Sequence, residues 1–275
     1  MSNSINLNSK QGAMAAHVAR TMPSDDEVSR SAVTKYLESK KDPNQFENWF
    51  HAVKDNDIRH PKTKLIPFPL EAAIAISKED EHAFLSNPEL TVVENSIKDA
   101  FTEFGRDELF LKNSLYSGKH SWARTCHIKH DSNIRHHLGQ ITYEWLMNSP
   151  VYATHMVVRE LIQTAPAFHA FGGTPIVQEF RLFAKDGKTY AYQAYWPQDS
   201  ILDPNCDDWA SKLKSISKAT QIQLDEMIAG ANKVTKTLGG DWSIDFLIDK
   251  DGKPWLIDMA LSSQSYISPE RVSLN

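Results

Sequence analysis

Apolar and polar positions along the chain recur with two different periods, and each change of period marks an element. Leu70–Leu85 and Leu90–Phe104 carry apolar residues at helical spacing, within a stretch broken by Pro61, Pro67, Pro69 and Pro88. Leu109–Lys112 and Met156–Val158 are short strand-like runs. Ile176–Ala184 and Thr189–Tyr195 alternate around Lys185-Asp186-Gly187-Lys188, and Trp242–Asp249 and Trp255–Met259 alternate around Lys250-Asp251-Gly252-Lys253. An Asp-Gly pair between two such runs predicts a hairpin, because a tight turn needs positive φ at both central residues and these two tolerate it. Between the hairpins Trp209, Leu213, Ile216, Leu224, Met227, Ala231, Val234 and Leu238 recur at helical spacing and stop at Gly239-Gly240. This predicts one long amphipathic helix, open to a kink, with a glycine cap. The class is α+β or mixed α/β.

With 275 residues the chain suits two lobes. Residues 1–40 are rich in Ser, Asn and small side chains, and Pro23-Ser24-Asp25-Asp26 reads as a helix start, so a flexible N-terminal arm is expected there. Residues 41–105 are expected to form an N-terminal lobe, and residues 106–270 the region that carries the chemistry. The chain has no repeat and no coiled-coil heptad run.

Composition changes this picture little. The chain is 41% apolar and 24% charged, and it lacks the run of about eighteen apolar residues needed to span a bilayer. No apolar signal core follows the N-terminal Met, and Cys126 and Cys206 are too few for a disulfide framework, so a soluble cytoplasmic protein with free thiols is expected. A net charge of −5 argues against a surface built to grip nucleic acid throughout. A local basic segment runs from Lys119 to His137 and includes Arg124, Lys129, Arg135 and five histidines.

The last hairpin is the most informative feature. A turn centred on Asp251-Gly252 places Asp245 directly opposite Asp258, both pointing away from a face made by Trp242, Ile244, Phe246 and Ile248 on one strand and Trp255, Ile257 and Met259 on the other. Like charges directly opposite destabilise a sheet, by about 0.2–1 kcal/mol, unless a cation or shared proton compensates. A hard divalent ion such as Mg²⁺ would do so; solvation on an open face is the alternative. Lys112 ends a strand before a small polar stretch, Asn113 to Ser121. Arg159 and Glu160 sit at another strand end, and Glu179 and Arg181 share one face of the first hairpin. No phosphate-binding Gly-x-x-x-x-Gly-Lys loop or dinucleotide Gly-x-Gly-x-x-Gly fingerprint occurs.

Phe110-Leu111-Lys112, Val157-Val158-Arg159-Glu160-Leu161, Glu179-Phe180-Arg181-Leu182-Phe183, Asp245 and Leu256-Ile257-Asp258 together, in this order, resemble the ATP-grasp fold. The resemblance covers roughly residues 105–265. It is nearest to the small divergent phage and bacterial ATP-grasp proteins, and to the eukaryotic ATP-grasp family that assists assembly of a translation initiation factor. It implies two α+β lobes with ATP between antiparallel sheets. Lys112 would contact the α- and β-phosphates, the Arg159–Leu161 segment, with Glu160, would lie beside the adenine, and Lys119 belongs with the cofactor contacts. Arg181 would approach the phosphates or the acceptor, Glu179 would pair with a cation or touch substrate, and Asp245 and Asp258 would hold Mg²⁺. Family members often carry Asn two residues after the second acid; here that residue is Ala260, which removes a usual metal ligand. The implied activity is a carboxylate–amine ligase working through an acyl phosphate, with an unidentified small-molecule, peptide or protein acceptor. An ATP-binding assembly factor for a partner protein, or an inactive nucleotide-binding module, is the alternative.

Cys126, His127, His130, His136 and His137 match no zinc-finger spacing. Their segment reads instead as a solvated basic loop over the nucleotide, with Trp122 available for stacking on a nucleic acid as a less favoured reading. Tyr190, Tyr192, Tyr195 and Trp196 are expected to pack the first hairpin.

Overall fold

The computed structural model describes residues 27–274. The helix start at Pro23–Asp26 lies outside the described residues, but Glu27–Ser39 (α1) is helical and buries Ala32 and Tyr36. That part of the expected arm is therefore packed. Phe46–Asp55 (α2) follows, then Thr63–Pro67 (β1), Leu70–Ser77 (α3), Glu81–Ser86 (α4) and Glu89–Phe104 (α5). The single helix expected over Leu70–Leu85 is two, because Asp80 accepts a hydrogen bond from the Ala83 N–H and starts a new helix after Glu79 at φ 57°. Helix α5 ends as expected, at Gly105 with φ 64°.

Glu108–Asn113 (β2), His127–Lys129 (β3), Ile134–Leu146 (α6) and His155–Glu160 (β4) complete the first body. Its antiparallel sheet has the order β1-β4-β2-β3. Period-two alternation sorts the side chains: Leu109, Leu111, Met156 and Val158 enter a core shared with α1 and α3–α6, while Val157 turns to a second core on the opposite face. Phe110 pairs with Arg159 and Lys112 with Val157, so the two cations share that opposite face.

Phe168–Ala170 (β5) and Thr174–Ile176 (β6) make a small ribbon, which removes Ile176 from the hairpin strand expected to begin there. Glu179–Lys185 (β7) and Lys188–Ala194 (β8) form the expected hairpin, with Asp186 at φ 49° and Gly187 at φ 87° in a two-residue turn. The long helix splits into Trp209–Ile216 (α7) and Gln221–Leu238 (α8), because Thr220 and Gln223 form a reciprocal cap that starts a new helix. Asp241–Ile248 (β9), Pro254–Leu261 (β10) and Val272–Ser273 (β11) complete a five-stranded antiparallel sheet of order β10-β9-β7-β8-β11. Helices α2 and α8 cover one of its faces around Trp49, Phe180, Met227, Phe246 and Leu256. Among the described residues no helix is long and apolar enough to cross a membrane.

Candidate functional site

The pairing of β9 with β10 decides which side chains face the cleft between the two sheets. Near the turn Pro254 lies opposite Ile248, Trp255 opposite Leu247 and Leu256 opposite Phe246; beyond Ile257 the register shifts, and Asp258 lies opposite Asp245. The two acids are thus paired as the sequence suggests, by another route. The loop runs from Asp249 to Lys253, and a bulge at Ile257 supplies the missing residue of register. The expected face of Trp255, Ile257 and Met259 does not form: Leu256 and Met259 enter the core, while Ile257 and Asp258 both line the cleft. On β9 the expected face of Trp242, Ile244, Phe246 and Ile248 is in the core.

The cleft encloses about 770 Å³ including its open mouth. One end is apolar, lined by Phe110, Trp122, Leu161, Ile162, Val177, Leu247 and Ile257; the other carries Lys112, Lys119, Glu179, Asp245 and Asp258. A polar chamber meets it from the far side and shares Lys119, Tyr195, Asp245 and Asp258 while adding Asn44, His120, Arg181, Ser243 and Gln264.

Three ion pairs make up the charged end. Lys112 reaches from β2 to Asp258 on β10, with Nζ 2.5 Å from Oδ2. Its side chain is 2% exposed against 34% for Asp258; burial pushes the amine below its ordinary pKa and Asp258 opposes that shift. Arg181 holds Asp245 through Nε at 2.7 Å and Nη2 at 2.8 Å, and this carboxylate outweighs burial to keep the guanidinium above its ordinary pKa. Lys119, in the turn Lys119–Ser121, bonds Glu179 at 2.9 Å. Burial would lower its pKa, but the Glu179 carboxylate keeps it above the ordinary value. Its ammonium also lies 4.1 Å from the Tyr195 ring centre, with the Arg181 guanidinium 5.0 Å from the same ring. Tyr195, expected to pack the hairpin, is thus a cleft residue. No local pattern relates Tyr195 to Lys119, which comes from a segment remote from the hairpin.

Arg159 and Glu160 line the cleft, but their side chains are engaged. The Arg159 guanidinium bonds the carbonyls of Leu256 and Ile257 and, through Nε at 3.2 Å, Thr63 Oγ1. Burial lowers its pKa to about 10, so it remains charged at neutral pH. Glu160 accepts from Arg106 at 3.0 Å and from the Lys62 N–H at 2.9 Å. Leu161 is half-buried at the apolar end. Phe46, missed by sequence reading, lies beneath both sheet cations, its ring centre 5.5 Å from Lys112 Nζ and 5.2 Å from Arg159 Cζ.

A divalent cation finds two carboxylates here, and among the described residues no group of three or more His, Cys, Asp or Glu side chains is gathered to hold one. Two acids plus phosphate oxygens and water suit Mg²⁺, which rarely takes an all-protein cage. Asp258 fits as a ligand, being the more exposed acid; Asp245 has both oxygens on Arg181 and would ligate through its remaining lone pairs. Ala260 offers no ligand. The Cys126–His137 segment forms no metal site: Cys126 is buried, its thiol pushed up to about 12 by burial, His127 faces Glu108 at 3.2 Å and His130 stacks on Phe101.

No protein-family model matches the sequence, and no curated protein matches it. The fold is similar to those of solved ATP-grasp and related structures. Cdc123 from Schizosaccharomyces pombe is 15% identical, with a TM-score of 0.46, over 79% of this chain and 82% of that one. D-alanine-D-alanine ligase from Bacillus anthracis is 11% identical, with a TM-score of 0.44, over 80% and 57%. A RimK domain ATP-grasp protein from Sphaerobacter thermophilus is 12% identical, with a TM-score of 0.42, over 80% and 60%. The chain therefore spans about three fifths of the latter two proteins.

Proposed function

We propose that the chain is an ATP- and Mg²⁺-dependent ligase of the ATP-grasp type, joining a carboxylate to an amine. The observation that carries this reading is the row of ion pairs where an apolar-ended cleft meets a polar chamber, with Lys112 crossing between the sheets to Asp258. The apolar end suits a purine, Lys112 suits the phosphates, and the chamber brings an acceptor to the same carboxylates. The acceptor carboxylate attacks the γ-phosphorus, ADP leaves, and the amine displaces phosphate from the acyl carbon. A bound Mg²⁺ supplies neutralisation of the charge on the phosphates. The chain's part is to orient the phosphates with Lys112, keep Arg181 charged beside the transfer point, and exclude water with Phe110, Trp122 and Ile257.

One observation favours binding without turnover: both oxygens of Asp245 are bonded by Arg181, and Ala260 contributes no ligand. Such a module would clasp nucleotide or a partner protein and consume little ATP.

Thermal unfolding with ATP, with Mg²⁺ and with both tests the site, since a ligand that binds only the folded state raises Tm. Stabilisation that needs both components and disappears in Asp258→Asn is the expected result; no shift in the wild type sinks the nucleotide reading. ADP release that requires an added amine and carboxylate then separates ligase from module.

A further inference from the structure

Asp258 faces the cleft only because β10 carries one residue more than its partner. Continuing the register set at the turn would place Asp258 opposite Ile244, whose side chain is fully buried in the core, and would put Ile257 opposite Asp245. The observed strand instead buries Leu256 and Met259 and turns two consecutive residues, Ile257 and Asp258, into the cleft. A bulge leaves backbone groups without ladder partners. Here the carbonyls of Leu256 and Ile257 both accept from the Arg159 guanidinium, which is 2% exposed and comes from β4 in the other sheet.

We infer that Arg159 is a positioning residue: by holding the bulge at Ile257 from across the cleft, it fixes the register that presents Asp258 to the site. Arginine suits this task because its planar fork reaches two neighbouring carbonyls at once, while Nε anchors to Thr63 and the Phe46 ring centre lies 5.2 Å from the guanidinium carbon. Lysine carries its three donors on one nitrogen and lacks that planar fork. Lys112 then meets a carboxylate already in place, so one sheet both sets and senses the position of the acid on the other. That Asp258 ligates Mg²⁺ rests on the proposed function; that Arg159 sets its register does not.

The test uses the full chain with Arg159→Met, which keeps an apolar stem and removes the donors, and deletion of Ile257 in that background. Cross-strand nuclear Overhauser contacts report register without ligand: residue 258 faces residue 245 in the wild type and moves toward residue 244 in Arg159→Met. Mg²⁺-dependent ATP binding weakens by roughly 10- to 100-fold, as for other residues that orient a metal ligand. Deleting Ile257 removes the extra residue, so Arg159 is no longer needed and the contacts between 258 and 245 return. Unchanged contacts in Arg159→Met overturn the inference. If Arg159→Met does not fold, recovery of the fold and of the 258–245 contact on deleting Ile257 supports it, and failure to recover overturns it. A register shift in a protein whose wild type does not bind Mg²⁺·ATP supports it too, and removes only the proposed function.

Discussion

The two hairpins of the five-stranded sheet turn on the same four residues, Lys-Asp-Gly-Lys, yet they are built differently. In the first, Asp186 and Gly187 alone make the turn. In the second the connection is Asp249–Lys253, because the preceding Asp249 takes over: its Oδ1 accepts from the N–H groups of Asp251 and Lys253 and its Oδ2 from Trp255 Nε1. The Lys250 N–H is also drawn to the Gln163 carbonyl. Each hairpin then carries an extra residue in its second strand, Tyr190 in one and Ile257 in the other. The first bulge lies near the turn and leaves Arg181 and Glu179 where simple alternation puts them. The second lies in the cleft and decides where a carboxylate points. The same local turn signal thus fixes that a hairpin exists, while neighbouring hydrogen bonds fix its register and hence its chemistry.

The largest expected effect separates the hairpins by function. Under the proposed ligase function, Lys112→Ala or Asp258→Asn lowers turnover by about 10²- to 10³-fold, the scale of losing one preorganised electrostatic group, whereas Lys188→Ala at the first turn leaves it unchanged. Steady-state ADP release measures both, and equal losses would erase the distinction.

Next comes the second loop itself. Asp249→Ala removes three accepted hydrogen bonds and is expected to cost about 1–3 kcal/mol in urea unfolding. Asp186→Ala removes one bond to the Gly240 N–H, at 2.7 Å, and is expected to cost about 1 kcal/mol. Equal costs would mean that the longer loop is not held by Asp249.

Acid sharpens the same contrast. Burial would raise the pKa of Asp249, but the bonds from Lys253, Trp255 and Asp251 outweigh it and hold the carboxyl below its ordinary value of 3.8. Its folded-state pKa is depressed, so its contribution is complete above pH 3.8 and is lost as pH falls through the lower folded value. The stability gap between wild type and Asp249→Asn should therefore narrow only in that acid window; a gap that narrows near neutrality contradicts the assignment.

The smallest effect compares the two glycines. Gly187→Ala and Gly252→Ala both place a Cβ at positive φ, at 87° and 80°, for about 1–2 kcal/mol each. Gly187 is expected to be the costlier, because its Cβ would meet Lys236 Cβ at 3.0 Å while the nearest atom to that of Gly252 is Gln223 Nε2 at 3.8 Å. The difference in Tm between the variants reads it directly.

Hydrophobic periodicity by itself determined both hairpins, helix α5, the strands bearing Lys112 and Arg159, and the core face of β9, because each follows from a repeat only a few residues long. The Asp251-Gly252 turn signal also paired Asp245 with Asp258, a pairing the structure reaches through a longer loop and a bulge. Tertiary structure decided the rest. Asp80 and Thr220 capped new helices where apolar spacing alone ran on. Arg159, read as a neighbour of adenine, turned to the carbonyls of Leu256 and Ile257, because a buried bulge needs donors that no local residue provides. Lys119 and Tyr195 came together from segments remote in sequence, and Phe46, on helix α2, came to lie under two cations of the four-stranded sheet. Alternation can state which face a side chain takes within its own strand, but a bulge reverses that face, and only the groups packed against the strand determine where the bulge falls.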